Sequence, residues 1–191
     1  IGGVLAMNGG AYGRSFRDAL IWAEAVDGDG NMHRASPAEL DLSYRHCGAP
    51  DDWIFTAAMF RGTKGGQDDI SARMRAVSQA RKDSQPVNTR TGGSTFKNPG
   101  GENPNGAKAW ELIDRAGCRG LRRGGARVSE LHCNFLINTG TATAADLEAL
   151  GEDVRRRVQA HGGVMLQWEI RIIGEHDPDN VPELILSEGV S

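Results

Sequence analysis

Asp27-Gly28-Asp29-Gly30 reverses the chain, and that reversal restricts the fold more than any other feature of the sequence. Residues 20–26 before it alternate with the period of a strand, and residues 32–35 after it are placed to return. Aspartate–glycine pairs supply the backbone conformations that tight hairpins need, so antiparallel pairing is predicted here. Residues 53–60 are a further apolar run of strand length. Ser36 and Pro37 mark a helix start. Asp68 and Asp69 cap a predicted helix whose Ile70, Met74 and Val77 share one face and which stops before Pro86.

Residues 86–104 change texture, being rich in Thr, Gly, Asn and Pro, and a domain junction is placed just before them. Beyond it, residues 107–118 read as a helix with Leu112, Ile113 and Ala116 inward and Gly117 as its cap. Residues 133–138 read as a strand. Thr143 with Asp146 approximates a capping box for a helix carrying the stripe Leu147, Leu150, Val154 and Val158, which ends at Gly162-Gly163. Residues 164–173 alternate most regularly of all. Strands and helices in this order, with hairpins, predict an α+β protein. The divisions are 1–84, 85–176 and an acidic, proline-containing tail at 177–191.

The bulk composition is that of an ordinary soluble protein: 191 residues, 39% hydrophobic, 25% charged and a net charge of −3. No basic excess points to nucleic acid. Arg119, Arg122, Arg123 and Arg127, spaced by glycines, are better explained by a solvated or phosphate-facing loop. No apolar run reaches the ~20 residues that cross a bilayer. The histidines show no metal-ligand spacing, so no metal site is expected. Cys47, Cys118 and Cys133 form no CxxC pair, and reduced thiols in a cytoplasmic protein are expected.

Several segments carry residues suited to chemistry. Residues 1–13 hold five glycines, which let a backbone approach a ligand closely; a loose terminus explains them equally well. Thr91-Gly92-Gly93-Ser94-Thr95-Phe96-Lys97-Asn98-Pro99 packs hydroxyls, a cation and an amide into what reads as a glycine-bounded loop. It is neither a nucleophile elbow nor a phosphate-binding lysine loop. On residues 164–173, period two puts Val164, Leu166, Trp168, Ile170 and Ile172 on an inward face. Gln167, Glu169 and Arg171 fall on the other, predicted to face a cleft. Taken alone, a carboxylate beside a guanidinium is more often a solvated pair than a site.

Taken together and in order, GGVLAMNGGAYG, SYRH, GGSTFKNP, AWELIDRAGCRG, GGARVSELHCNFLINTGTATAADL and EIRIIGE resemble the UDP-N-acetylenolpyruvoylglucosamine reductase family, from residue 1 to about 175. The resemblance implies a flavin domain in two subdomains followed by a small α+β substrate domain, in a cytoplasmic monomer. It implies an oxidoreductase of peptidoglycan synthesis that uses NADPH and FAD to reduce UDP-N-acetylglucosamine enolpyruvate to UDP-N-acetylmuramate. By motif, Ser94 would donate the proton, while Arg45 and Glu169 would polarise the substrate carboxylate and the developing enolate. Gly2, Gly3, Asn8, Ala11, Gly13, Tyr44 and Arg171 would contact flavin, and Lys82, Asn98 and His132 the UDP-sugar. The family's first flavin subdomain has no counterpart in these residues, so weak FAD binding by the chain alone is expected. An inactive fragment or a UDP-sugar-binding module is the alternative. The short span between Arg45 and Ser94 resembles the family form without a substrate-closing insertion.

Overall fold

The computed structural model describes residues 1–101 and 106–174. The expected tail at 177–191 lies outside the described residues. The chain divides into two compact units, Ile1–Ser71 and Ala72–Ser191, and the division falls inside a long helix.

The first unit opens on a helical turn, α1 (Gly2–Ala6), then a miniature hairpin of β1 (Gly10–Ala11) and β2 (Arg14–Ser15). The glycine-rich start is therefore folded rather than a loose loop: Leu5 is fully buried and pulls α1 onto a core of Leu20, Ala23, Ala35, Leu40 and Leu42. The sheet of this unit has the order β4-β3-β5, all antiparallel, with β3 at Leu20–Val26, β4 at Met32–Ala35 and β5 at Ile54–Phe60. The predicted hairpin is present. The Asp27 carboxylate accepts hydrogen bonds from the amides of Asp29 and Asn31 and from the Asn31 side chain, and lies 2.7 Å from His33 Nε2. His33, and then the Asn31 amide, hold the Asp27 carboxyl far below the usual carboxylate range.

Helix α2 (Gln67–Ser84) starts and stops as predicted, but buries no residue: Met74 is 68% and Val77 44% exposed. Three large apolar residues, with only alanines besides, do not make a stripe wide enough to drive packing in an 18-residue helix. Local effects support the helix instead, with Asp68 and Asp69 in the first turn, Arg81 and Lys82 in the last, and a Gln79–Asp83 hydrogen bond of 2.8 Å.

The second unit is built on an antiparallel sheet of order β6-β9-β8-β7, formed by β6 (Arg90–Ser94), β7 (Arg122–Arg123), β8 (Ala126–Val128) and β9 (Phe135–Asn138). The segment read as a loop around Ser94 is thus partly an edge strand. Helices α3 (Ala109–Arg115) and α4 (Ala144–Gly162) pack with it around Phe96, Ile113, Val128, Leu136, Leu150 and Val154. Gly117 (φ 69°) ends α3. The Thr143–Asp146 capping box opens α4 and Gly163, in the left-handed region, closes it. Hydrogen bonds from the Thr143 amide and, further down, the Gly125 amide lower the Asp146 pKa. That contribution is present above the unfolded carboxyl value and lost as pH falls through the lower folded one.

Residues 164–173 are not a strand. One antiparallel bridge, Phe96 with Trp168, is their ladder pairing among the described residues. Alternating burial holds through Val164, Leu166 and Trp168 and then fails: Ile172, expected inward, is 52% exposed. The segment is instead hung from α4 by side chains. Arg155 Nε donates to the Leu166 carbonyl (2.9 Å), Trp168 Nε1 donates to Glu152 (3.1 Å), and the Trp168 ring rests on Gly151. A Cβ at Gly151 would stand 2.0 Å from Trp168 Cη2. On an open helix Gly→Ala gains up to ~1 kcal/mol. Here overpacking, at ~1–3 kcal/mol, is expected to win, so Gly151→Ala lowers the urea midpoint. A raised midpoint would mean that the ring moves aside freely.

Candidate functional site

In the second unit, main-chain bonds tie the segment that follows Ser94 to Glu169. β6 pairs with β9 at Arg90–Asn138 and Thr91–Ile137, then skips to Ser94–Phe135. The irregularity lies at Gly92-Gly93, where Gly93 has φ 90°, a conformation that strongly favours glycine. After Ser94 the chain is held from both edges. Thr95 N donates to the Asn134 carbonyl, and the Thr95 carbonyl accepts from Glu169 N, both at 2.8 Å. Lys97 N donates to the Gln167 carbonyl at 2.8 Å. Ser94 is therefore one residue from a direct main-chain bond to Glu169, and both are half-buried.

Asn134 was not among the residues singled out in the sequence. It is 4% exposed, and its side chain pairs with both main-chain groups of Phe96: Oδ1 accepts from N at 3.0 Å and Nδ2 donates to O at 2.8 Å. Its signal in the sequence was its place in the HCNFLIN stretch that carries the family resemblance.

Asn98 Oδ1 accepts from Ala109 N (3.0 Å) and so anchors the start of α3. His132 Nδ1 accepts from Asn134 N at 3.3 Å, leaving the proton on Nε2, and its ring lies edge-on to Phe135 with Trp110 at 6.1 Å. Burial, with a smaller contribution from Arg119, lowers the His132 pKa, although a backbone hydrogen bond opposes it. An NMR titration is expected to place its midpoint below the ~6.5 of a free imidazole. The folded state takes up this proton less readily than the unfolded one, so stability falls as pH drops below ~6.5. A midpoint at or above that value would contradict the burial.

Arg171 lines a 570 Å³ cavity with Thr95, Leu136, Leu147, Trp168 and Ile170. Ser94 and Glu169 do not line it, so Arg171 shares a cavity with the face expected to point inward. Lys82 is exposed near the end of α2. The arginine cluster is largely neutralised: Arg119 pairs with Asp114, Arg123 with Asp153 and Arg127 with Glu130. Burial pushes the Cys133 thiol up to about 11 and raises Cys118 as well, so neither is a ready thiolate. No metal-binding cluster occurs among the described residues.

In the first unit, Tyr44 and Arg45 lie in a turn closed by mutual main-chain bonds between Ser43 and His46. Arg45 has φ 53°, an uncommon conformation for a non-glycine residue, and its guanidinium lies 5.0 Å over the Tyr44 ring. Asn8 is buried and supports this turn, its Nδ2 donating to the Ser43 carbonyl (3.0 Å) while Oδ1 accepts from Arg17 N. Gly2 and Gly3 belong to α1, Ala11 to β1, and Gly13 has φ 73°. A Cβ at Gly3 or Gly13 would meet nothing within 4 Å, so both present bare backbone to open space.

Residues 85–173 match the family model described as UDP-N-acetylenolpyruvoylglucosamine reductase, C-terminal domain. The chain is 60% identical over 174 residues to the UDP-N-acetylenolpyruvoylglucosamine reductase of Parvibaculum lavamentivorans, covering 91% of this chain and 54% of that protein. It is 59% identical, with the same coverage, to that of Rhodospirillum rubrum. The crystal structure of UDP-N-acetylenolpyruvylglucosamine reductase from Thermus caldophilus superimposes with a TM-score of 0.75 at 36% identity, over 89% of this chain and 59% of that one. The chain thus spans about half the length of the curated relatives it matches.

Proposed function

Because the chain belongs to the UDP-N-acetylenolpyruvoylglucosamine reductase family, we propose that it carries part of the flavin domain and the substrate domain of such an enzyme. The reaction is the NADPH- and FAD-dependent reduction of UDP-N-acetylglucosamine enolpyruvate to UDP-N-acetylmuramate, for peptidoglycan synthesis, by a cytoplasmic monomer. The observation that supports this reading is the main-chain hydrogen bond from Glu169 N to the Thr95 carbonyl, one residue after Ser94.

Bound FAD, reduced by NADPH, would supply a hydride to C3 of the enolpyruvyl group. The bare backbone at Gly3 and Gly13 fits the close approach of a flat cofactor, and Gly2, Asn8, Ala11, Tyr44 and Arg171 would be its further contacts. The residues of this chain handle the charge and the proton. Reduction at C3 leaves negative charge on C2 and its carboxylate. Arg45 would stabilise that charge more in the transition state than in the ground state. Ser94 would protonate C2, completing the saturated bond, and recover its own proton from solvent. A serine hydroxyl is a weak acid, so it serves only for a strongly basic centre within hydrogen-bond reach. Glu169 would hold the substrate carboxylate, with Asn98, His132 and Lys82 as contacts for the UDP-sugar. A neutral His132 with its proton on Nε2 is a donor suited to such a contact.

The test is turnover by a full-length enzyme that contains this chain, with NADPH, FAD and the enolpyruvyl substrate, and the product identified by mass spectrometry. A product 2 Da heavier than the substrate is expected. NADPH oxidation without it would defeat the reading. The 191-residue chain alone is expected to retain less than stoichiometric flavin through gel filtration.

A further inference from the structure

We propose that Asn134 is a positioning residue: its carboxamide acts as a surrogate strand that sets the spacing between Ser94 and Glu169. This rests on the proposed roles of those two residues. Ladder pairing between β6 and β9 ends at Ser94–Phe135. Two residues further, β9 has no strand left to pair with Phe96, because the chain turns at His132, whose carbonyl accepts from Phe135 N. Asn134 replaces the missing rung with its side chain, satisfying both the N–H and the carbonyl of Phe96, while its own carbonyl takes Thr95 N.

The consequence reaches Glu169 through one residue. With Thr95 N and both main-chain groups of Phe96 committed to Asn134, the Thr95 carbonyl is left pointing to the opposite edge, where Glu169 N donates to it. The two edges of residues 95–96 are thus assigned to different partners, and a loss on one side frees the strand to shift along the other. Asn134 N also donates to His132 Nδ1, so the residue that sets the spacing also selects the His132 tautomer. Residues this buried at such a junction are ordinarily apolar, since a buried amide is tolerated only when fully paired. Here both side-chain groups are paired, and to the backbone segment next to the proposed proton donor. The substitution Asn134→Ala would leave the N–H and the carbonyl of Phe96 without these partners in a buried place.

Two measurements test this. The first does not depend on the proposed function. In the 191-residue chain, Asn134→Ala is expected to speed amide hydrogen exchange at Phe96 and Glu169 by about tenfold or more, the scale of one lost buried hydrogen bond. Leu150 and Val154 in α4 should keep their protection. Equal loss at all four, or none at Glu169, overturns the proposal. The second uses the full-length enzyme. Asn134→Ala is expected to slow the step that consumes the enolpyruvyl substrate by up to about 10²-fold, the cost of a displacement near 1 Å, with the separate half-reaction, flavin reduction by NADPH, unchanged. In a Ser94→Ala background the same substitution should add little, because coupled residues are not additive. Full additivity, as for a residue that merely supports the fold, overturns it. If Asn134→Ala does not fold, Asn134→Asp, which keeps the shape and the acceptor for Phe96 N, is read in the same way. If Ser94→Ala itself is silent, the proposed function fails while the exchange result still decides the role of Asn134 as a clamp.

Discussion

Replacing Ser94 with alanine in a full-length enzyme that contains this chain is expected to slow consumption of the enolpyruvyl substrate by about 10²–10⁴-fold, the scale of lost general-acid catalysis. Flavin reduction by NADPH needs no proton from a serine and should stay nearly intact. Anaerobic stopped-flow separates the two: reduce the flavin first, add substrate, and follow reoxidation. Ser94→Cys keeps a transferable proton and should recover part of the loss, since Ser94 is only half-buried and its place in β6 is set by main-chain pairing with Phe135. Unchanged reoxidation in Ser94→Ala would remove Ser94 from the reaction and move the proton to Glu169 or to a bound water. An equal loss in the NADPH step would mean that the site had been damaged as a whole.

The largest expected loss of stability comes two residues away. Phe96 is 1% exposed, belongs to the core of the second unit, and packs against Trp168 with ring centroids 4.9 Å apart. Phe→Ala in such a place costs ~3–5 kcal/mol through lost transfer energy plus the cavity left behind. Domains of this size are stable by only ~5–15 kcal/mol, so Phe96→Ala is expected to remove at least about a fifth of the stability of the second unit. Urea unfolding followed by tryptophan fluorescence suits the question, because Trp168 touches the deleted ring. Phe96→Leu, which refills most of the volume, should cost clearly less. A loss below ~1 kcal/mol for the alanine variant would show that the aromatic pair is not central to this core.

Elements with local causes were legible in advance. The Asp27 hairpin, the end of α2 before Pro86, the capping box of α4 and its closure at Gly163 all depend on residues a few positions apart, and all are present. The motifs around Ser94 and His132 pointed to the family, which the matches to residues 85–173 and to curated relatives support. The α2 stripe failed for a physical reason: three large apolar residues satisfy the spacing rule without supplying enough area, and Met74 and Val77 remain exposed.

The amino-acid order by itself determined the turns, the ends of α2 and α4, the α+β class and the family, because propensity, capping and turn chemistry act over a few residues and need no partner. The helix start read at Ser36 and Pro37 closes into a turn instead. Only the tertiary structure decided which strand-like runs became strands. Residues 164–173 have the best alternation in the chain, yet they make a single bridge, because α4 takes Trp168 on Gly151 and the Leu166 carbonyl on Arg155. Only the tertiary structure, too, gave Asn134 its place. Its carboxamide meets Phe96 across 38 positions of sequence, and a hydrogen bond between groups that far apart exists only once the folded chain has brought them to within 3 Å.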